Sequence, residues 1–193
     1  MEILVATSNP HKLKEIGHIL KGIRIKGLGI KVKEDKPTFE GNAAKKALTL
    51  AKKFKEPAIA DDSGLMVYAL NGRPGVKSAR YATPPTPENL CRKLLRVMRS
   101  RLAPCLPAGR NRRAKFVCVI ALAYPNGKVR FFKGVCRGQI TKEMRGNHGF
   151  GYDPVFMPSG YKKTFAEMSP ALKNRISHRA RALAKLSRYI NGG

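Results

Sequence analysis

The sequence has 193 residues, of which 42% are apolar, and its 39 Lys and Arg against 12 Asp and Glu give a formal net charge of +27. The apolar share excludes a disordered chain, and the length suits one large folding unit, so we predict a single domain over residues 1–193. The charge indicates affinity for polyanions, whether nucleotide, polyphosphate or nucleic acid, without distinguishing among them.

Apolar segments of the sequence are all short. The longest apolar run, residues 117–124, has the length of a strand rather than of a membrane span. The first residues lack the basic region and long apolar core of a signal peptide. The four cysteines have no C-x-x-C spacing, so we expect reduced, largely buried thiols. Together these features predict a cytoplasmic protein without membrane association.

The first strand and helix of the chain are predicted to meet at a polar turn. Residues 3–6 form an apolar run typical of a buried parallel strand, and apolar residues at helical spacing follow from Pro10 to about residue 22. Between them stands Thr7-Ser8-Asn9, and Lys12 falls in the first helical turn. A helix N-terminus beside these donors suits a phosphate group. An ordinary capped helix is the alternative, because Walker and dinucleotide glycine motifs are absent.

Two adjacent carboxylates, Asp61 and Asp62, follow the apolar residues 57–60 and precede Ser63. We expect the strand to end at these acids. Neighbouring carboxylates repel each other unless a cation lies between them or one is protonated, so the pair indicates a functional site in so basic a chain. The alternative is a solvated Asp-Asp-Ser-Gly turn.

Patterns along the chain alternate between helix and strand. Residues 31–41 predict a loop, and Asn42 is expected to cap the helix that follows it. The Asn126-Gly127 step predicts a hairpin between strands at residues 116–124 and 128–136. We therefore predict an α/β fold with a mixed central sheet flanked by helices.

Glycine and aromatic residues interleave between Arg145 and Pro154. Such a loop lets the backbone approach a flat ligand while a ring stacks on it; the alternative is a turn whose rings lie in the core. Further on, Ser177 is predicted to cap a helix with His178 and Arg179 in its first turn. Cations there oppose the helix dipole, and a bound ligand would offset that cost.

Five blocks make the chain resemble the inosine triphosphate pyrophosphatase family over nearly its whole length. The blocks are Thr7-Ser8-Asn9 with Lys12, Asp61-Asp62-Ser63-Gly64-Leu65, residues 74–81, residues 145–154, and Thr164-Phe165-Ala166-Glu167-Met168 with Lys173 and Ser177-His178-Arg179. The resemblance implies Mg²⁺-dependent hydrolysis of ITP, dITP and XTP to the monophosphate and pyrophosphate. It also implies an elongated sheet, an active-site cleft between two lobes, and a homodimer.

The resemblance also implies roles for individual residues. Asp62 would be general base and metal ligand, with Asp61 and Glu34 as further ligands; Glu34 is preferred to Glu40 because it keeps the family's distance from Thr38-Phe39. The implied phosphate contacts are Thr7, Ser8, Asn9, Lys12, Lys46, Ser63 and Arg80. The implied base pocket consists of Phe150, Gly151, Tyr152, Asp153, Lys173, His178 and Arg179.

A purine 6-keto oxygen would accept hydrogen bonds from His178, Arg179 or backbone N–H groups, whereas an adenine amino group would face donors. A nucleic-acid-binding module is the rival function, because residues 89–142 contain fourteen Lys or Arg and no acid. The basic connection at residues 99–115 is predicted to be a surface loop, with nucleic-acid contact as the alternative. The run is poor in aromatic residues, so nucleic acid is a possible partner and not the predicted function.

Overall fold

The structure, a computed structural model, describes residues 2–20, 22–99 and 111–192. The strands are β1 (Glu2–Ala6), β2 (Arg24–Leu28), β3 (Ala58–Val67), β4 (Arg113–Ala123), β5 (Val129–Ile140) and β6 (Phe156–Pro158). The α-helices are α1 (Pro10–Ile19), α2 (Phe39–Phe54), α3 (Pro87–Arg99), α4 (Pro170–Ile176) and α5 (His178–Ile190). Most of the basic connection predicted at residues 99–115 lies outside the described residues, as does Cys105.

The strands form one six-stranded sheet in the order β2-β1-β3-β4-β5-β6. Strand β1 runs parallel to both β2 and β3, and β5 runs antiparallel to β6. A tight turn joins β4 to β5: the Tyr124 N–H donates to the Lys128 carbonyl at 2.9 Å, and the Gly127 N–H donates to the Tyr124 carbonyl at 3.0 Å. The predicted hairpin and the predicted mixed α/β sheet are therefore confirmed.

The described residues form two compact units. Unit 1 consists of Met1–Asp62, Cys118–Gly134 and His178–Gly193, and unit 2 of Ser63–Val117 and Val135–Ser177. The core of unit 1 contains Ile3, Ile59, Ile120 and Leu183. The core of unit 2 is richer in aromatic side chains, with the rings of Phe116 and Phe156 centred 4.6 Å apart. Each unit thus buries apolar side chains of its own.

Two local predictions are wrong. Strand β3 does not end at the acids but continues to Val67, because Asp61 and Asp62 each find polar partners on their own face of the sheet. Helix α2 is not capped by Asn42: the cap is Thr38, whose hydroxyl accepts a hydrogen bond from the Gly41 N–H at 3.0 Å. Because both acids are buried within β3, the alternative of a solvated Asp-Asp-Ser-Gly turn is excluded.

Helix α2, with 16 residues, begins with a buried Phe39 and packs an alanine-rich face inward. None of the helices that the described residues form is long and apolar enough to span a membrane. The described cysteines, Cys91, Cys118 and Cys136, are buried thiols in the reduced state, as predicted.

Candidate active site

The turn between β1 and α1 is held by its own side chains. The Thr7 hydroxyl accepts a hydrogen bond from the Asn9 N–H at 3.1 Å, and the Asn9 side-chain oxygen accepts one from the Lys12 N–H at 3.3 Å. Asn9 therefore caps helix α1, which begins at Pro10 as predicted. Ser8 is exposed beside them. The turn places hydroxyls and a helix N-terminus together in unit 1.

Asp61 and Asp62 point to opposite sides of β3, because side chains alternate along a strand. Asp61 lies 2.9 Å from the Lys12 ammonium and 3.1 Å from the Arg179 guanidinium. The Asp62 carboxylate instead accepts a hydrogen bond from the Asn42 amide at 3.0 Å. Adjacent acids are thereby separated into two environments.

The two environments move the carboxyl pKa values apart. Burial by itself would raise the pKa of Asp61, but the charges of Lys12, Arg179 and Lys46 outweigh it and hold that pKa well below its usual range. For Asp62, burial prevails over Lys46 and the Asn42 hydrogen bond, and it raises the pKa to about 6. A neighbouring pair with divergent pKa values is the arrangement by which a site assigns acid and base roles.

Lys46 links the acidic residues of unit 1. Its ammonium lies 2.7 Å from the Glu34 carboxylate and donates to the backbone carbonyl of Asp61, also at 2.7 Å. Burial would lower the pKa of Lys46, but the charge of Asp61 and the bond to Glu34 raise it. The negative charge of Glu34 also contributes to the raised pKa of Asp62, so the two carboxylates interact electrostatically.

Sequence reasoning missed two residues of this cluster. Glu15 forms a short ion pair with Arg179, whose side chain is 1% exposed and also contacts Asp61. A usable signal was present, since Glu15 follows Lys12 by three positions on α1 and therefore shares its face. Asn42, misassigned as a cap, holds Asp62 and also accepts from the Lys36 N–H at 2.9 Å. No spacing in the sequence indicated that second role.

Unit 2 brings together part of the predicted base pocket. The Asp153 carboxylate accepts hydrogen bonds from the Phe150 N–H at 2.8 Å and from the Lys173 ammonium at 2.7 Å. The same ammonium lies 4.5 Å from the centre of the half-buried Phe150 ring. Gly149 has a φ of +80°, and a Cβ there would lie 2.1 Å from the Asp153 carboxylate. Only glycine permits this tight loop.

Tyr152 has a different environment from Phe150. It is 3% exposed, and its hydroxyl donates to the Ser78 carbonyl at 2.9 Å. The Ser78 hydroxyl in turn accepts from the Leu65 N–H at 2.9 Å and donates to the Gly75 carbonyl at 2.6 Å. Ser78 thereby links residues 74–81 to β3 and to the glycine- and aromatic-rich loop at residues 145–154. No pattern in the sequence indicated this role for the serine.

The other predicted residues are placed as follows. Arg80 is exposed and Ser63 half-buried in unit 2, while His178 is buried at the start of α5 in unit 1. The structure thus gathers Lys12, Lys46, Asp61, Asp62, Glu34 and Arg179 in one cluster, and Phe150, Asp153 and Lys173 in another.

The donor set of unit 1 suits a hard divalent cation such as Mg²⁺. In the part of the chain that the structure describes, no group of three or more His, Cys, Asp or Glu is arranged to hold a metal ion. Mg²⁺ usually takes one or two carboxylates and completes its shell with water and substrate phosphate. Glu34 and Asp62 offer those two carboxylates, whereas Glu40 lies 3.0 Å from the Lys133 ammonium. Burial raises the pKa of Asp62, and a cation beside it would favour the ionised carboxylate.

The statistical model of the Ham1 family matches residues 3–189. The chain belongs to the Ham1 family. This Ham1 protein is 47% identical over 196 residues to the dITP/XTP pyrophosphatase of Porphyromonas gingivalis, covering 98% of this chain and 97% of that one. It is 40% identical to the dITP/XTP pyrophosphatase of Oceanobacillus iheyensis, with 98% of each covered. The predicted family resemblance is confirmed.

Solved structures agree with the assignment to Ham1. A HAM1 protein from Coxiella burnetii superimposes with a TM-score of 0.89 at 39% identity, over the full length of both chains. The Staphylococcus aureus Ham1 protein superimposes with a TM-score of 0.87 at 37% identity, covering 100% of this chain and 99% of that one. The mixed sheet flanked by helices is thus the Ham1 fold.

Proposed function

We propose that this Ham1 protein hydrolyses the non-canonical purine nucleoside triphosphates dITP, XTP and ITP to the monophosphate and pyrophosphate, and so cleanses the nucleotide pool. The names of its relatives support the substrates. The observation that carries the chemistry is the buried pair in β3, in which Lys12 and Arg179 hold the Asp61 carboxylate while Asp62 faces the Asn42 amide on the other side of the strand. Mg²⁺, a homodimer, one catalytic domain and a cytoplasmic location complete the proposal.

Binding the triphosphate requires neutralising about four negative charges. Lys12 is 19% exposed at its side chain, so its ammonium can donate to a phosphate oxygen while it keeps its bond to Asp61. The hydroxyls of Thr7 and Ser8 and the N-terminus of α1 add uncharged donors. Lys46 supplies a second positive charge from α2. These groups would bind the phosphate tail.

Hydrolysis requires a water to lose a proton as it attacks phosphorus. Asp62 takes that proton, and the bond between the α- and β-phosphates breaks to release pyrophosphate. Asn42 orients the accepting carboxylate. A bound Mg²⁺, held by Asp62 and Glu34, would neutralise phosphate charge and lower the pKa of its coordinated water. Asp61 stays ionised and fixes Lys12 and Arg179.

Recognition of the base is assigned to the loop of unit 2. The half-buried Phe150 ring would stack on the purine, with Lys173 placed beside it by Asp153. The burial of Tyr152 favours a positioning role for that side chain. His178 and Arg179 remain predicted donors to the 6-keto oxygen. In ATP these donors would face an amino group, which cannot accept their hydrogen bonds. The unpaired donors would lower kcat/KM for ATP by several orders of magnitude relative to ITP.

The proposal is tested by comparing kcat/KM for ITP, dITP, XTP, GTP and ATP in wild-type protein and in Asp62→Asn. We expect the first three to be preferred and Asp62→Asn to lose at least about a hundredfold in kcat while still binding ITP. Asp35→Asn is the matched control, because Asp35 is an exposed acid paired with Lys45. Comparable kcat/KM for ATP, or wild-type turnover by Asp62→Asn, contradicts the proposal.

A further inference from the structure

The sheet of unit 2 has one face that is not part of its apolar core. Ala114 and Phe116 of β4, and Cys136 and Ile140 of β5, belong to that core. Because side chains alternate along a strand, the residues next to these core residues point to the other face. These are Arg113 and Lys115 on β4, and Arg137 and Gln139 on β5; Tyr68 follows the end of β3 and Met157 lies on β6. We call this set the Tyr68 face.

Cations surround an exposed ring on the Tyr68 face. Tyr68 is 42% exposed, and its ring centre lies 5.4 Å from the Arg113 guanidinium carbon and 5.8 Å from the Lys115 ammonium. A second ring, Tyr161, is 39% exposed. Both rings line a pocket of about 360 Å³ together with Arg113, Arg137 and Gln139, and none of the described residues that line it is an Asp or Glu. The pocket therefore offers positive charge and aromatic surface side by side.

We propose that the Tyr68 face binds single-stranded nucleic acid. A single strand presents phosphates to the arginines and lysine and unpaired bases to the two tyrosine rings, which is how sequence-tolerant single-strand sites are built. The pocket volume suits a nucleobase. A second copy of this chain would place the same cations against one another, which disfavours it as occupant. This inference is independent of the proposed pyrophosphatase activity.

The fold places aromatic rings beside the cations of the acid-free run, residues 89–142. The run supplies Arg113, Lys115 and Arg137, whereas Tyr68 and Tyr161 come from outside it. Because both rings lie outside the run in the sequence, the pattern of the run did not include them. The objection to nucleic acid as a partner, that the run is poor in aromatic residues, therefore does not apply to the folded surface.

The test measures binding of fluorescently labelled single-stranded RNA and DNA of about 12 nucleotides by anisotropy over a range of NaCl concentrations. Lys115→Gln/Tyr68→Leu removes one charge and one ring from the face. We expect it to weaken binding by at least about fivefold, with a salt slope reduced by about 0.7, and to leave ITP turnover unchanged. Binding of the RNA or the DNA that is weakened in this variant supports the proposal. Comparing the RNA with the DNA shows whether ribose or deoxyribose is preferred.

A matched control exists at the end of α2. Phe54 is also 42% exposed, and the Lys53 ammonium lies 5.6 Å from its ring centre. Lys53→Gln/Phe54→Leu therefore removes the same charge and a comparable ring elsewhere. If this control weakens binding as much as Lys115→Gln/Tyr68→Leu, the proposal is overturned in favour of net charge alone.

Two further outcomes would contradict the proposal that the Tyr68 face binds single-stranded nucleic acid. Inorganic polyphosphate that binds as tightly as the oligonucleotides, with no effect of Tyr68→Leu, shows that the rings do not contribute. A change from dimer to monomer in Lys115→Gln/Tyr68→Leu, seen by light scattering, shows that the face is an interface between copies.

Discussion

At the scale of single residues, β3 turns two identical side chains into two different groups. Asp61 and Asp62 are neighbours in sequence, but strand alternation directs one to Lys12 and Arg179 and the other to Asn42. The first keeps its charge at any working pH, and the second has a pKa of about 6. The division of labour follows from which face of the strand each side chain occupies.

The two acids predict stability changes of opposite sign in metal-free protein. The pKa of Asp62 is raised on folding, so ionisation of its carboxyl costs stability: the cost is absent below about pH 4 and grows as pH rises through about 6. Above that range we expect Asp62→Asn to be more stable than wild type by about 2–3 kcal/mol, at about 1.4 kcal/mol per pKa unit. Near pH 3.5 the difference should vanish.

Asp61 behaves in the opposite way. Its pKa is lowered on folding, so its contribution is present above about pH 4 and is lost below that. Asp61→Asn leaves Lys12 and Arg179 with less compensation, and we expect it to lose about 3 kcal/mol or more at neutral pH. Denaturant unfolding across pH measures both changes. Effects of the same sign for Asp61→Asn and Asp62→Asn would contradict the assigned environments.

Glu34 and Glu40 predict different dependence on Mg²⁺. Glu34 interacts electrostatically with Asp62, whereas Glu40 pairs with Lys133. We expect Glu34→Gln to raise the Mg²⁺ concentration needed for half-maximal ITP turnover by about 10- to 100-fold, and Glu40→Gln to leave it close to wild type. Titrating Mg²⁺ into each variant measures the difference. The reverse order would identify Glu40 as the ligand.

At the scale of elements, the position of α5 depends on a small residue in β5. A Cβ at Gly134 would lie 2.0 Å from the His178 carbonyl oxygen and 2.5 Å from the Ala182 backbone nitrogen. The first turn of α5, which carries His178 and Arg179, therefore rests directly on the strand. Helical spacing predicted α5 itself, because it depends on residues close in sequence. The contact with Gly134 joins residues 44 or more positions apart and left no local pattern.

Two glycine substitutions in unit 1 are predicted to have opposite effects on stability. Gly134→Ala must push α5 away from β5, so we expect a loss of about 1–3 kcal/mol in stability and reduced ITP turnover. Gly17→Ala places a Cβ within α1 at an ordinary 3.5 Å from Ile25 and should gain about 0.5–1 kcal/mol. Denaturant unfolding and turnover of both variants provide the check. Equal stability of Gly134→Ala and wild type would refute the close contact.

At the scale of the whole molecule, the net charge of +27 sets the electrostatic background for every site. So large a charge favours encounter with polyanionic substrates and opposes compactness through self-repulsion. In unit 1, Asp61 and Glu34 are held by specific cations. The remaining positive charge stays available to attract phosphates.

The self-repulsion predicts stabilisation by salt. Raising NaCl from about 0.02 M to about 0.5 M shortens the Debye length below the spacing of most surface charges, so the Tm should rise. Each kcal/mol gained corresponds to about 2–4 °C for a chain of this size. Adding about 5 mM sodium sulfate at constant ionic strength separates general screening from binding of a specific anion, because a bound anion raises the Tm at concentrations too low for surface exclusion to contribute. A Tm that falls with NaCl would show that favourable ion pairs dominate instead.

The sequence by itself determined the α/β class, the hairpin at Asn126-Gly127, the polar turn after β1 and the family, because these depend on short-range patterns and on motifs read in order. Only the tertiary structure decided that Asp61 and Asp62 face different partners, that Glu15 and Asn42 belong to the cluster, and that Tyr68 lies among the cations of a distant run. Those facts are set by contacts between residues far apart in the chain. Strand alternation and packing create them, and no local spacing encodes them.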